Sequence, residues 1–266
     1  MPRQEPSASA GRPARRSRRL WRWLLAAVVA LVLLPLLTSV TLRTTGVAKA
    51  ANWWEARRDS SQQAPDPAST SEAVLQVYGA RAYGWRGAFG VHTWFAVKPS
   101  GADRYTRLEV IGWYAYHGGD ALRVSNGIPD AYWFGSRPEL LLDLRGDGVD
   151  ALIGEVEAAA ARYPYPGHYR VWPGPNSNTF TAFVAREVPG LRLELPPLAV
   201  GKDYLPNGGV VADTPSGTGK QVSLFGLAGA QVGAEEGFEV NLLGLTVGVD
   251  LAPLALKLPG FGRIGG

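Results

Sequence analysis

The chain has 266 residues, 46% of them apolar and 10% aromatic, which is enough for a substantial core; its 33 Gly and 20 Pro favour many turns and short strands over a helical bundle. It contains no cysteine, which excludes thiol nucleophiles, disulfides and cysteine metal sites, and its three histidines, His92, His117 and His168, are too few for a histidine-rich metal centre. The formal net charge is +4, yet residues 1–23 hold seven Arg and one Glu, so the remainder is mildly acidic and no nucleic-acid partner is expected.

Residues 1–22 read as a basic cytoplasmic tail. From Trp23 to Leu42 the run WLLAAVVALVLLPLLTSVTL carries no charge, and it approaches the roughly 20 apolar residues that cross a bilayer. With the arginines ahead of it, a transmembrane helix over 23–42 is expected, N-terminus inside and the main domain outside the cytoplasmic membrane. A signal peptide cleaved near Ala48-Lys49-Ala50 is the competing reading. Residues 43–72, polar and rich in Pro and Ser, read as a linker. Residues 73–200 then form the core domain, and the Gly-rich stretch 201–266 is an extension packed on it.

Within the core, GAFGVHTWFAVKP and RYTRLEVIGWYAY are rich in β-branched and aromatic residues and are joined by Pro-Ser-Gly-Ala, the pattern of a hairpin. A turn over Pro99–Ala102 sets Lys98 opposite Asp103, Trp94 opposite Arg107 and His92 opposite Glu109, so that a cation meets an indole and a carboxylate meets an imidazole. AYWFGS and ELLLDLRG read as further short strands. VDALIGEVEAAAARY is a helix with Val149, Leu152, Ile153 and Val156 on one stripe. A strand-like Tyr169–Trp172 breaks at Pro173-Gly174-Pro175, and a second helix opens with Asn176 as its N-cap and buries Phe180, Phe183 and Val184. Beyond Pro197 the best strand candidate is FEVNLLGLTVGVDL. PSGTGKQ resembles a phosphate-binding loop, but Thr214 and Gln221 stand where that motif needs Gly and Ser or Thr, so nucleotide binding is not expected.

Chemistry concentrates on three residues. Ser177 falls in the first turn of the second helix, where free backbone N–H groups favour an oxyanion. The helix dipole contributes about 0.3–1 kcal/mol, too little to ionise a serine, so a base is needed. His92, mid-strand with Glu109 within reach, is the best candidate; His117 and His168 read as solvated loop residues. Capping alone accounts for Ser177, Asn176 and Asn178, and core packing accounts for His92 and Trp94. The residues by themselves leave catalysis and structure both open.

His-Thr-Trp on a strand, followed some 85 residues later by Asn-Ser-Asn-Thr-Phe at a helix start, resembles the circularly permuted papain-like proteins of the lecithin:retinol acyltransferase-like and PPPDE-type families. That resemblance implies His92 as base, Glu109 as orienting residue and Ser177 in the place of the nucleophilic cysteine. Asn176, Asn178 and Trp94 would flank this site. From the linker onward the chain also resembles family 3750 of the bacterial domains of unknown function, through APDPAST, WRGAFGVHTWFAVKP, EVIGW, GPNSNTF, PSGTGKQVSLFG and EVNLLGL. The expectation is an α+β domain with an antiparallel sheet packed on one or two helices, tethered by one N-terminal span. It would act as a Ser-His hydrolase or acyltransferase on an envelope component, or bind a peptide, lipid or envelope ligand in the same groove. No cofactor is expected.

Overall fold

The computed structural model describes residues 14–45 and 53–266. The first part of the basic tail and the Ala48–Ala50 motif lie outside the described residues. The chain is α+β, with a five-stranded and a seven-stranded antiparallel sheet. Strands β1 (Val74–Arg81), β2 (Val91–Lys98), β3 (Thr106–Val110), β4 (Leu122–Asn126) and β5 (Glu139–Arg145) form the first sheet in the order β4-β3-β2-β1-β5.

The expected transmembrane helix is not found. The helical run is divided into α1 (Ala14–Val28), a π-type turn (Val29–Leu33) and α2 (Leu34–Thr45), so the uncharged window 23–42 falls across three pieces. Among the described residues no helix is long and apolar enough to cross a membrane. The 12 residues of α2 reach only about 18 Å, against the roughly 30 Å of a hydrocarbon core, and α1 carries Arg19 and Arg22. Helix α2 is instead docked to the body: the Ser39 hydroxyl is within 3.1 Å of the carbonyl oxygens of Ala88 and Gly260, and Leu36 is buried.

Two helices bury the inner face of the first sheet. Helices α4 (Val149–Ala161) and α5 (Ser177–Glu187) cover β1, β2 and β3, and Val77, Phe95, Val97 and Leu108 meet Ile153, Val156, Phe180 and Val184 in one apolar core. Strand alternation makes this possible, because odd-numbered residues of β2 face the helices and even-numbered ones face away. On that opposite side Tyr78, Trp94 and Tyr105 form a second, smaller cluster. A short helix α3 (Gly112–Tyr116) follows β3. The segment 59–64 is strapped down, because the Asp130 carboxylate accepts hydrogen bonds from the Ser60 and Ser61 hydroxyls and from the Gln63 and Ala64 amides.

The hairpin register differs from the expected one by two residues. Ala96, not Trp94, lies opposite Arg107, and Phe95 lies opposite Leu108. The connection is longer than the four-residue turn, running from Pro99 to Tyr105, with Lys98 donating to the Glu72 and Pro99 carbonyls instead of facing Asp103. A shift of two keeps every side chain on its expected face. AYWFGS is not a strand: it is an irregular segment closed by a Trp133–Ser136 bridge. Tyr169–Trp172 is likewise bent chain, continuing through cis bonds at Trp172–Pro173 and Gly174–Pro175.

The C-terminal stretch forms far more structure than one strand. β6 (Val211–Asp213), β7 (Gly219–Leu224), β8 (Ala228–Gly233), β9 (Gly237–Leu242), β10 (Leu245–Leu251), β11 (Leu254–Leu258) and β12 (Gly262–Gly265) run as a continuous meander. FEVNLLGLTVGVDL is the β9–β10 hairpin, turning at Leu243-Gly244. The polar face of this sheet lies inward. Lys257 pairs with Glu239, Asp250 and Glu194, and Lys202, from the segment after α5, pairs with the same Glu239.

Candidate functional site

Asn176 fixes the start of α5. Its side-chain oxygen accepts from the amides of Asn178 and Thr179, and the Thr179 hydroxyl accepts from the Asn176 amide, completing a capping box. Its side-chain nitrogen donates to the Val171 and Val200 carbonyls, each at 3.0 Å. Asn178 likewise donates to the Val91 and Val200 carbonyls and accepts from Thr93 Oγ1. Both asparagines are thus consumed in tying the helix start to β2 and to the following loop. They position Ser177 and leave no polar group for chemistry of their own.

Ser177 is buried, yet its hydroxyl makes no hydrogen bond with any described residue; only its carbonyl is engaged, by Thr93 and Thr181. As the first residue of α5, it has a backbone N–H for which the helix provides no partner.

His92 and Glu109 meet as expected, with Nε2 and Oε2 2.9 Å apart. The diagonal relation of the true register makes this contact, where direct opposition was expected. Arg107 donates to the same Glu109 oxygen at 2.9 Å and lies over the Trp94 ring, 4.7 Å from its centroid. Burial opposes the Glu109 charge, but the hydrogen bond from His92 and the Arg107 cation outweigh it and hold the carboxyl below its usual range. For His92, burial dominates and lowers the pKa, with Glu109 acting in the opposite direction. The imidazole is therefore neutral at neutral pH. A carboxylate can only accept, so Nε2 carries the proton and Nδ1 keeps its lone pair.

Two aromatic rings hold the imidazole. Trp133 stacks on it with centroids 3.7 Å apart and planes 11° from parallel, and Trp94 lies 5.7 Å away on a further stacked contact. The role of Trp133 was hidden in the sequence, because AYWFGS resembles a strand and its contact with His92 spans 41 residues of chain. Trp94 is buried, and its indole N–H donates to the Pro129 carbonyl, so it supports the site without facing it. His117 sits on Trp113, and the exposed end of α3 holds it away from the other candidates. His168 borders a separate depression beside Tyr204.

His92 and Ser177 line one cleft of about 380 Å³, together with Trp85, Phe89, Trp133, Tyr169 and Trp172. They are not hydrogen-bonded to each other. Thr93, not His92, faces α5, and the His92 ring leaves β2 on the opposite side, toward Glu109. The two meet the same cleft at an opening in the sheet. The β2–β3 ladder covers only Phe95–Val97 with Thr106–Leu108, so His92 and Glu109 lie where those strands are no longer paired. On the far side of Trp133 lies a second, aromatic-walled cleft of about 930 Å³, which Glu109 and Arg107 also reach. Among the described residues no group of three or more side chains gathers to hold a metal.

No curated protein and no solved structure matches the chain, so the papain-like resemblance rests on the short motifs alone. A family model does match, described as "Protein of unknown function (DUF3750)", over residues 72–204, which includes β1 to β5, α4, α5, His92, Glu109 and Ser177. That match covers half of the chain and includes His92, Glu109 and Ser177, while Leu243, Gly244 and Leu245 of the meander complete the cleft wall; the protein belongs to the DUF3750 family.

Proposed function

We propose that the chain is a serine-dependent hydrolase or acyltransferase related to the permuted papain-like proteins, acting on an acyl or peptide bond. In this reading Ser177 Oγ attacks the carbonyl carbon and its proton passes to His92 Nδ1. Glu109 keeps the imidazole in the required tautomer, and the Ser177 amide donates to the developing oxyanion. His92 then returns the proton to the leaving group, and water or a second acceptor releases the acyl group from Ser177. One observation carries the reading: an unbonded serine hydroxyl at a helix start and a neutral imidazole, its Nε2 already committed to a carboxylate, border the same cleft.

The test is labelling of the purified protein with a fluorophosphonate probe. Covalent labelling of wild type that disappears in Ser177→Ala and His92→Ala supports the proposal. No labelling, or equal labelling of Ser177→Ala, rejects it.

A second reading is favoured by the missing Ser177–His92 hydrogen bond and by the opposite faces of β2 that the two residues' neighbours occupy. The cleft would then bind a peptide or lipid ligand without reacting with it. Ser177→Ala would preserve function in complementation of a deletion strain, whereas filling the cleft with Ala82→Trp, at a residue that lines it, would abolish it.

A further inference from the structure

The seven-stranded sheet has its polarity reversed relative to an ordinary surface sheet. Cross-strand register aligns Val232, Phe238, Val249, Leu256 and Ile264 in one row over five strands, and a parallel row runs from Val211 through Val222 and Val240 to Val247. These rows face away from the body. Val211, Val222, Val232, Phe238, Leu256 and Ile264 are 48% to 68% exposed. The alternate residues, Gln221, Gln231, Glu239 and Lys257, are the buried ones. The apolar face belongs to strands outside the family match, and the proposed chemistry makes no use of it.

We infer that this face packs against the same face of a second copy of the chain, forming a two-sheet sandwich across a two-fold axis. A sheet that is apolar on one side must cover that side with another layer, and sheets pack face to face about 10 Å apart. Eleven large apolar side chains of these strands are exposed on it; at roughly half exposure they present on the order of 800 Å², the area each partner gives to a stable interface. An uncovered patch on a monomer is usually much smaller, about 300–600 Å².

The charges at the margin favour a second copy over a lipid surface. Lys220 pairs with Asp213 at one corner, and Arg192 pairs with Glu235 near the end of β8. A margin of balanced pairs offers nothing to an anionic bilayer, which attracts a basic surface, but it can face its own two-fold image without net repulsion.

Sedimentation equilibrium of the full chain tests this, with a monomer mass of 28.5 kDa. Wild type is expected at twice that mass. The double variant Val232→Glu, Val240→Glu is expected at the monomer mass, with an unchanged far-UV spectrum. Leu24→Glu, on the exposed side of α1, is expected to remain a dimer. Because the chain has no cysteine, Val240→Cys gives a second readout: it should form a disulfide-linked dimer on mild oxidation, while Glu157→Cys on α4 should not. The inference is overturned by a monomeric wild type, by a dimer that survives the double substitution, or by dissociation caused by Leu24→Glu alone. Binding of wild-type monomers to phosphatidylglycerol vesicles through the same face would also overturn it.

Discussion

Glu109 serves two partners with one oxygen, and this sets the pH behaviour of the site. It raises the pKa of His92 against the effect of burial. If His92 acts as a base, turnover should fall as the pH drops through its lowered pKa. Glu109→Gln should move that acid limb to still lower pH, because the charge that favours imidazolium is gone, and should reduce the plateau rate as well. A pH–rate profile of both proteins checks this; an acid limb that moves upward would contradict the assignment. Stability follows the same sign: a histidine with a depressed folded pKa makes the native state bind fewer protons than the unfolded chain, so stability decreases as pH drops below about 6.5.

Tyr163 offers a simpler test. Its ring packs edge-on against Phe180, 5.2 Å between centroids, but its hydroxyl is buried with no hydrogen-bond partner among the described residues. Burial also raises its pKa above the ordinary tyrosine value. A raised folded pKa gives stability that is present below about pH 10 and lost above it. Tyr163→Phe should therefore stabilise the protein by about 1 kcal/mol at neutral pH and flatten its alkaline loss of stability. Urea titrations at pH 7 and pH 11 measure both effects.

At the scale of elements, the start of α5 depends on a side chain that both donates and accepts. Aspartate is normally as good an N-cap as asparagine. Here Asn176→Asp would keep the two accepted bonds but set an oxygen against the Val171 and Val200 carbonyls that Nδ2 now serves. It should cost about 2–4 kcal/mol, visible as a lower melting temperature; a neutral outcome would mean that those two bonds do not exist. Gly201 belongs to the same lock: a Cβ there would lie 2.4 Å from Asn176 Nδ2.

These elements also show what could be read from the residues. The helix over Val149–Ala161, the capped start at Asn176 and the meeting of His92 with Glu109 follow from periodicity, cap chemistry and strand parity, all local rules. The two-residue register error came from Tyr105, which looks like strand but belongs to the loop, and parity hid the error because a shift of two changes no face. Trp133 was not legible at all, since nothing local distinguishes a ring that stacks on a distant imidazole from one in a strand. The uncharged window at 23–42 failed for another reason: composition gives the polarity of a segment but not the break at Val29–Leu33 or the docking of Ser39.

At the scale of the whole molecule, the second sheet is held to the first unit by charge. Lys257 is kept protonated well above the usual lysine range: burial works against the cation, but Glu239, Asp250 and Glu194 more than compensate. Lys257→Met would leave three carboxylates facing one another and should cost about 3–5 kcal/mol. Hydrogen exchange should show that loss first in β9, β10 and β11, with α4 and α5 protected as before. Uniform loss of protection would mean that the two sheets unfold together.

The seam between them therefore joins two surfaces that water can wet. The family match stops at residue 204, just before the meander begins, and along that line a parting of the two units would bare ions and amides far more than oil.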